Sequence, residues 1–276
     1  MRIDAHHHFW IYNQERDTWI SEDMSVLKAD FLPDDLHIEM KKNNIHGCVS
    51  VQAGQSEEET FFLNDLAQKH EWILGVVGWV DFLSTTVQER LEFFSSFEKI
   101  KGWRHIIQSE KKGFMETPEF LRGIKNLSAF DFTFDLLLYP HQLKEAIELV
   151  RRFPEQKFVI DHMAKPRIKD GEIREWATGI QAMSEFPNVW CKVSGLVTEA
   201  NWHQWQPQNF KPYLDKIVAC FGTQRLIYGS DWPVCLLASS YRTQLQLVED
   251  YFSSFSSAER DSIFGRNAEK FYALRT

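Results

Sequence analysis

Two histidines near the start of the chain, His6 and His8, have the spacing of a metal-binding pair. In a β-strand alternate residues point to the same face, so the two imidazoles converge, with Asp4 beside them and His7 on the opposite face. Neutral imidazole is the commonest protein ligand of zinc, and a catalytic zinc site needs about three protein ligands and an open position. The pair predicts part of such a site, although two histidines taken alone are more often packing residues.

Further polar groups follow two apolar runs later in the chain. His162 comes directly after the run 158–161, and Asp231 comes directly after the run 226–230. A carboxylate at the end of a strand can bind a metal ion, and it can also remove a proton from water as a general base. Either residue alone is explained by a turn, but together with the histidine pair they predict a catalytic site.

These groups can meet only if the strands before them are neighbours in one sheet. Short runs rich in β-branched residues alternate with longer amphipathic runs along the chain, which is the pattern of βα units around a parallel sheet. About eight units in a chain of this length favour an α/β fold, a single (β/α)8 TIM-type barrel, with one domain over residues 1–276. No glycine-rich nucleotide fingerprint follows the first strand, which weakens the alternative of an open Rossmann sheet. The predicted strands are 2–8, 47–51, 73–80, 101–107, 132–138, 157–161, 189–193 and 225–228.

The connections between the predicted strands carry their own signals. Ser56 and Glu59 have the spacing of a capping box, which predicts that a helix begins there. Two irregular stretches, 12–32 and 198–208, are long for connections in a compact fold. Long loops of this kind are often functional, so we expect them to form walls or lids of the site.

Composition limits the partners of this protein. Lys and Arg number 31 against 39 Asp and Glu, which gives a formal net charge of -8. Nucleic-acid binding rests largely on clustered basic residues, so we expect a small neutral or cationic substrate and no nucleic-acid partner. No run reaches the roughly 18 apolar residues of a membrane span, so we expect no membrane contact and a cytoplasmic location. The sequence leaves the oligomeric state open, a homo-oligomer included.

Five stretches stand at or near the predicted strand ends: IDAHHHFW (3–10), GWRH (102–105), IDHMAKP (160–166), KVSGL (192–196) and YGSDWP (228–233). Together they resemble the amidohydrolase-2 branch of the amidohydrolase superfamily. Within that branch the chain is most similar to sugar-lactone hydrolases of the L-fuconolactonase and L-rhamnonolactonase type, and more distantly to pyrone-dicarboxylate lactonase. The resemblance covers nearly the whole chain.

The resemblance implies a set of site residues and a reaction. His6 and His8 would bind one divalent metal ion, zinc foremost, with His162 as a further ligand, and Asp231 would bind the same ion and act as the catalytic base. The implied reaction opens the ring ester of a sugar lactone, an aldonolactone of a deoxy sugar such as L-fucose or L-rhamnose, to give the free acid. A lactone also has a good leaving group, so metal-free hydrolysis is compatible with the resemblance, with the histidines donating hydrogen bonds to the carbonyl oxygen.

Two positions depart from the pattern of the binuclear members of the superfamily. Those members carry a carboxylated lysine or a glutamate on the fourth strand, where this chain has Arg104 and His105. They also carry a histidine at the end of the fifth strand, where this chain has the run 136–139, with His141 as a late candidate. We therefore expect at most one metal ion, which is dispensable if the histidines act directly.

Other residues near strand ends are expected to contact the substrate. Strand alternation places Arg104 on the face opposite Trp103 and His105, where it would bind the lactone as a catalytic residue or pair with a structural carboxylate. Sugar rings often pack on indole faces, although a tryptophan is more often core. Each polar candidate is alternatively a structural hydrogen-bonding residue. The predicted substrate-binding set is Arg104, Gln52, Lys165, Lys192, Trp10 and Trp232.

Two other functions fit parts of the sequence. A nonoxidative decarboxylase of an aromatic acid would use a related amidohydrolase site, but the missing fifth-strand histidine counts against it. A non-catalytic barrel that binds a sugar acid would share the fold, but the intact set of three histidines and an aspartate counts against it. The sequence therefore predicts a lactone hydrolase and leaves the sugar, the ring size and the metal open.

Overall fold

Eight parallel strands form one sheet in which each strand pairs with the next along the chain. The computed structural model describes residues 1–275, so Thr276, the last residue of the predicted domain, lies outside the described residues. All eight predicted strands are present, and their ends differ from the prediction by two residues or fewer. The strands are β1 (Ile3–His7), β2 (Gly47–Val51), β3 (Ile73–Gly78), β4 (Ile100–His105), β5 (Thr133–Leu136), β6 (Phe158–Ile160), β7 (Val189–Val193) and β8 (Leu226–Tyr228).

The sheet closes where the segment after β8 meets β1. The amide of Asp231 donates to the carbonyl oxygen of His6 over 2.8 Å, and the amide of His8 donates to the carbonyl oxygen of Trp232 over 2.7 Å. Closure brings the carboxyl ends of the first and last strands side by side, which is the end where barrel enzymes carry their active sites. The predicted α/β fold with a TIM-type barrel is confirmed, whereas one domain over the whole chain stays a prediction.

An α-helix follows every strand, and two more end the described chain. The helices are α1 (Pro33–Lys42), α2 (Glu57–Lys69), α3 (Val87–Ser95), α4 (Pro118–Leu127), α5 (Leu143–Arg152), α6 (Arg174–Ser184), α7 (Pro207–Phe221), α8 (Tyr241–Tyr251), α9 (Ser257–Asp261) and α10 (Asn267–Phe271). A π-helical turn, Ser262–Arg266, joins the last two. Across residues 1–275, no helix has both the length and the apolar composition needed to cross a bilayer.

Apolar side chains fill both sides of the sheet, which is why the strands read as nearly continuous apolar runs. The larger cluster lies between the strands and the surrounding helices. A smaller cluster fills the interior, where Phe271 and Tyr272 from the end of the chain pack against strand residues. The strand residues of this interior cluster are Ile3, Ala5, Val49, Val51, Val77, Val159, Trp190 and Ile227.

A register shift in β1 decides which of its polar side chains face the interior. The pairing of β1 with β2 is irregular between Asp4 and His7, as in a β-bulge. Bulges re-aim side chains and are common next to active sites. His6 and His8 face the interior, whereas Asp4 accepts a hydrogen bond from the hydroxyl of Tyr241 on α8, on the outer side of the sheet. The prediction that Asp4 shares the face of the two histidines is therefore wrong, because strict alternation does not hold across a bulge.

Candidate active site

Three histidines converge on one carboxylate at the carboxyl end of the barrel. The Oδ1 atom of Asp231 lies 3.5 Å from Nε2 of His8, 3.8 Å from Nε2 of His162 and 4.0 Å from Nε2 of His6. All four side chains are buried. The structure thus brings together the four residues that the sequence predicted as metal ligands, and their roles remain predictions.

Hydrogen bonds orient two of these imidazoles. Nδ1 of His8 lies 2.8 Å from the carbonyl oxygen of Val51, which can only accept, so Nδ1 carries the proton and Nε2 presents a lone pair. Nδ1 of His162 lies 2.9 Å from the hydroxyl of Ser194. Fixing one ring nitrogen in this way aims the other, as in most metal-binding histidines.

The backbone adopts an uncommon conformation in the two loops that carry His162 and Asp231. Residues 162–165 all have positive φ, between 48° and 59°, and Asp231 has a φ of 59°. This left-handed conformation costs free energy for every residue type except glycine, and residues that adopt it cluster at functional sites. Gly195 also has a positive φ, and a Cβ there would lie 2.6 Å from Nδ1 of His162. A side chain at that position would displace the histidine.

Glycine is also required on the last strand connection. A Cβ at Gly229 would lie 2.5 Å from the Cβ of His6 and 3.0 Å from its backbone nitrogen. The close approach of the two backbones is part of the barrel closure, in which the neighbouring Ser230 amide donates to Oδ1 of Asp4 over 2.8 Å. Asp4 therefore ties β1 to the loop that carries Asp231, rather than facing the site itself.

Arg104 lies next to His6, and hydrogen bonds to other residues of the chain hold its guanidinium group in place. Its Nη1 atom donates to Oδ2 of Asp161 over 3.1 Å and lies 3.4 Å from Nε2 of His6. Its Nη2 atom donates to the backbone oxygen of Gln52 and also lies 3.3 Å from that residue's Oε1 atom. The structural pairing that the sequence offered as an alternative is present, and substrate contact by Arg104 and Gln52 stays a prediction.

Lys192 on β7 is fully buried and contacts the same aspartate, Asp161, as Arg104 does. Its Nζ atom lies 2.5 Å from Oδ2 of Asp135, 3.0 Å from Oδ1 of Asp161 and 3.2 Å from Nδ1 of His6. The hydroxyl of Tyr272 donates to Asp135 from the other side. Lys192 is thus engaged by protein groups, and the prediction that it binds the substrate remains untested.

Burial sets the charge of the histidines. Removal from water lowers the pKa of His162 to about 4, lowers the pKa of His8, and lowers that of His6 well below its ordinary value. Burial alone would raise the pKa of Asp231, but its neighbours His162, His8 and Lys165 outweigh that effect, so its pKa is lowered. Near neutral pH the site therefore holds neutral imidazoles around an ionised carboxylate, the protonation state that metal binding needs.

The spacing of the donor atoms fits a metal ion. One ligand atom each from His6, His8 and Asp231 can be chosen so that all lie within 4.8 Å of one another, and the same holds for His6, Asp161 and His162. Ligands at roughly 2.1 Å from a tetrahedral zinc ion lie about 3.4 Å apart. The separations of 3.5 to 4.0 Å around Asp231 need little change to meet that geometry.

A cavity of 630 Å³ lies between the segment that follows β1 and the start of α2. Trp10 lines it, with its ring centre 6.5 Å from that of His8 and its indole N–H donating to the carbonyl oxygen of Ala29. The stretch 12–32 contributes Arg16, Asp17 and the half-exposed Trp19 to the lining of the cavity. The first of the two long stretches is thus a wall of the cavity.

Glu59 fixes the opposite wall of this cavity. The hydroxyl of Ser56 accepts from the amide of Glu59, as predicted for a helix start. The Glu59 carboxylate does not complete the capping box but accepts from the amides of Ala53 and Gly54, each over 2.6 Å. The reciprocal half of the predicted box is therefore wrong, because two loop amides are better placed than the Ser56 amide.

Glu59 also gives this wall a pH dependence. Burial raises the pKa of Glu59 from 4.5 to about 7, so its contribution to stability is complete below pH 4.5 and is lost as the pH rises through 7. We expect Glu59→Gln to remove this loss. Thermal unfolding followed by circular dichroism should show the Tm difference, Glu59→Gln minus wild type, becoming more positive from pH 5 to pH 8.

The matched control is the exposed neighbour Glu58, which lines the same cavity. We expect Glu58→Gln to shift the Tm by the same amount at both pH values. A Glu59→Gln difference that stays constant between pH 5 and pH 8 would contradict the assignment.

Lys165 stands at the other side of the site. Its Nζ atom lies 3.8 Å from Oε1 of Glu199 and 5.6 Å from the ring centre of Tyr139. Burial raises the pKa of Glu199. The second long stretch, which carries Glu199, is anchored where the indole of Trp205 donates to the carbonyl oxygen of Ala238. Substrate contact by Lys165 stays a prediction.

Two other candidates are held by contacts with aromatic side chains. Trp232 is 3% exposed, and its ring packs edge-to-face against Phe9 and Phe31, as a core tryptophan does. Its predicted contact with the substrate remains untested. His141 is exposed and stacks on Tyr139 instead of joining the other histidines.

Sequence reasoning missed several residues that the structure places at the site. Asp135 and Asp161 were counted as parts of strands, although a charged residue inside a buried run is itself a signal because it needs a partner. Ser194 has no signal of its own beyond its place after β7. Glu199 lay within a stretch predicted as a site wall, and a carboxylate there could have been singled out.

Comparisons with known proteins agree with this geometry. A protein from Burkholderia multivorans named L-fucono-1,5-lactonase is 37% identical over 286 residues, covering 99% of this chain and 96% of the relative. An L-rhamnono-gamma-lactonase from Scheffersomyces stipitis is 25% identical over 204 residues, covering 65% of this chain and 61% of the relative. A crystal structure of an amidohydrolase from Burkholderia multivorans with bound zinc has a TM-score of 0.97, 37% identity and full coverage of both chains.

The family follows from the extent of these matches. The sequence profile of the family described as Amidohydrolase matches residues 3–274, which include every residue of the site. The stretches that suggested this family all lie inside the matched range. The chain belongs to the amidohydrolase family.

Proposed function

We propose that this protein hydrolyses the ring ester of a sugar lactone, of the kind that L-fucono-1,5-lactonase accepts, to the free sugar acid. The observation that carries the proposal is the convergence of three imidazole Nε2 atoms on Oδ1 of Asp231. Two relatives that match 99% of this chain at 37% and 34% identity are named L-fucono-1,5-lactonase, which supports the same reaction class as the sequence predicted.

We propose that one divalent ion binds at His6, His8, His162 and Asp231, and that this ion is zinc. Nitrogen and carboxylate donors of this kind suit zinc, and a zinc-bearing relative of the same fold supports the choice. When bound, the ion would polarise the lactone carbonyl and favour ionisation of water.

Two residues of the chain are proposed to transfer protons and to stabilise charge during the reaction. Asp231, ionised at neutral pH, takes a proton from the attacking water as the new bond to the carbonyl carbon forms. The carbon–oxygen bond of the ring then breaks, and Asp231 passes the proton to the departing ring oxygen. Arg104 provides a fixed positive charge 3.4 Å from Nε2 of His6, and we propose that it stabilises the negative charge developing on the carbonyl oxygen.

The sugar ring is proposed to occupy the cavity beside β1. Trp10 and Trp19 offer indole surface for the apolar face of the ring, and Arg16 and Glu59 offer partners for hydroxyl groups. Lys165 and Glu199 form a second polar pair across the site. Pocket size and chemistry thus suit a small polyhydroxylated ring.

A substrate screen tests the proposal. Purified protein is incubated with aldonolactones of differing stereochemistry and ring size, with a pH indicator reporting acid release. We expect catalysed release from one or a few deoxy-sugar lactones. Carbon dioxide release from a hydroxybenzoate, with no action on any lactone, would replace the proposal with a decarboxylase. Binding of a sugar acid without turnover of any lactone would indicate a non-catalytic barrel.

A further inference from the structure

We infer that Lys192 is a built-in cation in a ligand shell that would otherwise bind a second divalent ion, and that it limits the site to one metal. The inference deepens the proposed metal site and rests on it. The mechanism proposed above uses Lys192 in no step, so its burial in the centre of the barrel needs a separate explanation.

The surroundings of the ammonium resemble a coordination sphere. Carboxylate oxygens of Asp135 and Asp161 lie 2.5 and 3.0 Å from Nζ, and Nδ1 of His6 lies 3.2 Å away. The two carboxylates come from β5 and from the end of β6, so they reach the ammonium from different strands, and His6 of β1 lies on a third side. Carboxylate oxygens are donors that divalent ions accept.

The charge of Lys192 and the space that its side chain fills would both keep a second metal ion out of this layer. Two carboxylates, Asp135 and Asp161, face two cations, Lys192 and Arg104, so the buried layer is neutral. A divalent ion added to that layer would leave an uncompensated buried charge of two, which carries a large desolvation cost. Removing the lysine instead leaves one excess negative charge and an open space between the two carboxylates.

Lys192 also connects this layer to the proposed catalytic ion through His6. The Nε2 atom of His6 points towards Asp231. The Nδ1 atom of the same ring lies 3.3 Å from Oδ1 of Asp161 and 3.2 Å from Nζ of Lys192. A metal-binding histidine usually donates its second ring N–H to a carboxylate. Lys192 is thus a positioning residue, because it holds the carboxylate that orients His6.

Metal counting on matched variants tests the inference. Wild type, Lys192→Ala and Lys192→Met are stripped of metal, saturated with zinc, separated from free ion and analysed by mass spectrometry. We expect one ion per chain in the wild type and two in Lys192→Ala, where both the charge and the volume of the lysine are lost. Lys192→Met should keep one, because its side chain fills the space.

Anomalous X-ray scattering then locates the ions. We expect the additional ion of Lys192→Ala between Asp135 and Asp161. A folded Lys192→Ala protein with a single ion would overturn the inference, and so would a zinc ion between those carboxylates in the wild type. The wild-type measurement decides alone if neither variant folds: absence of zinc there supports the inference.

The outcome is separable from the proposed function. Neither readout uses lactone turnover, so a wild type that hydrolyses no lactone would refute the function and leave the metal count standing. Conversely, active wild type together with a single ion in Lys192→Ala would refute only the role of Lys192.

Discussion

Asp231→Asn is expected to lower kcat/KM for lactone hydrolysis by about 10³-fold, within the range that removal of a general base produces. Asparagine matches the size of aspartate, so the surrounding histidines keep their places. The amide oxygen, however, cannot take the proton from water at neutral pH, and it is a weaker metal ligand than a carboxylate. Initial rates of acid release from the best lactone of the screen measure the effect.

An exposed carboxylate at the same end of the barrel provides the control. Asp81 follows β3 and accepts a hydrogen bond from the amide of Leu83. Asp81→Asn should leave kcat/KM within about twofold of wild type, since surface substitutions rarely matter beyond their own contacts. Equal activity of Asp231→Asn and wild type would remove Asp231 from the mechanism.

His8→Ala should release the metal from the site and lower lactone hydrolysis by roughly 10²-fold or more, the usual effect of losing one electrostatic stabiliser of the transition state. Nε2 of His8 lies 3.5 Å from Oδ1 of Asp231, the shortest of the three histidine separations. Without it, one of the four proposed ligands is missing. Metal content of protein purified without a histidine tag, measured together with activity, checks both effects.

The neighbouring residue on β1 is a matched control. His7 is equally buried but faces away from the site, with Nε2 3.1 Å from the hydroxyl of Ser50. His7→Ala removes the same imidazole, so it should reduce stability without changing the metal content per folded chain. Full activity of His8→Ala with no metal present would indicate that hydrolysis proceeds without the ion. Metal retained in His8→Ala would remove His8 from the ligand set.

The fold could be predicted because its signals are local and repeated. Each of the eight strands is a short apolar run, and a buried parallel strand has few other ways to appear in a sequence. His162 and Asp231 could be found for the same reason, since each directly follows such a run. Parallel strands then bring their carboxyl ends together whatever their separation along the chain.

The register of β1 could not be predicted. A bulge between Asp4 and His7 depends on how β1 pairs with β2, and nothing within the strand itself records it. Strict alternation happened to give the right face for His6 and His8 but the wrong one for Asp4. The same limit applies to Glu59, whose carboxylate bonds to loop amides that only the folded loop brings close.

Only part of the buried layer of charged side chains inside the barrel could be predicted from the sequence. Sequence reasoning found Arg104 and Lys192 as polar residues near strand ends and offered each as a substrate-binding residue or as a structural one. Their partners, Asp135 and Asp161, come from other strands, and pairing across a barrel depends on strand order and stagger. Those carboxylates form the ion pairs of both cations.

Hydrolysis of a deoxy-sugar 1,5-lactone in water enriched in ¹⁸O tests the central claim most directly. Mass spectrometry of the product should show one ¹⁸O atom in the new carboxyl group, formed at a rate proportional to protein concentration and well above the rate in buffer. This result would follow from attack of water on the carbonyl carbon with cleavage of the ring ester. Product formation at only the buffer rate, for every aldonolactone and with folded, zinc-loaded protein, would contradict the account.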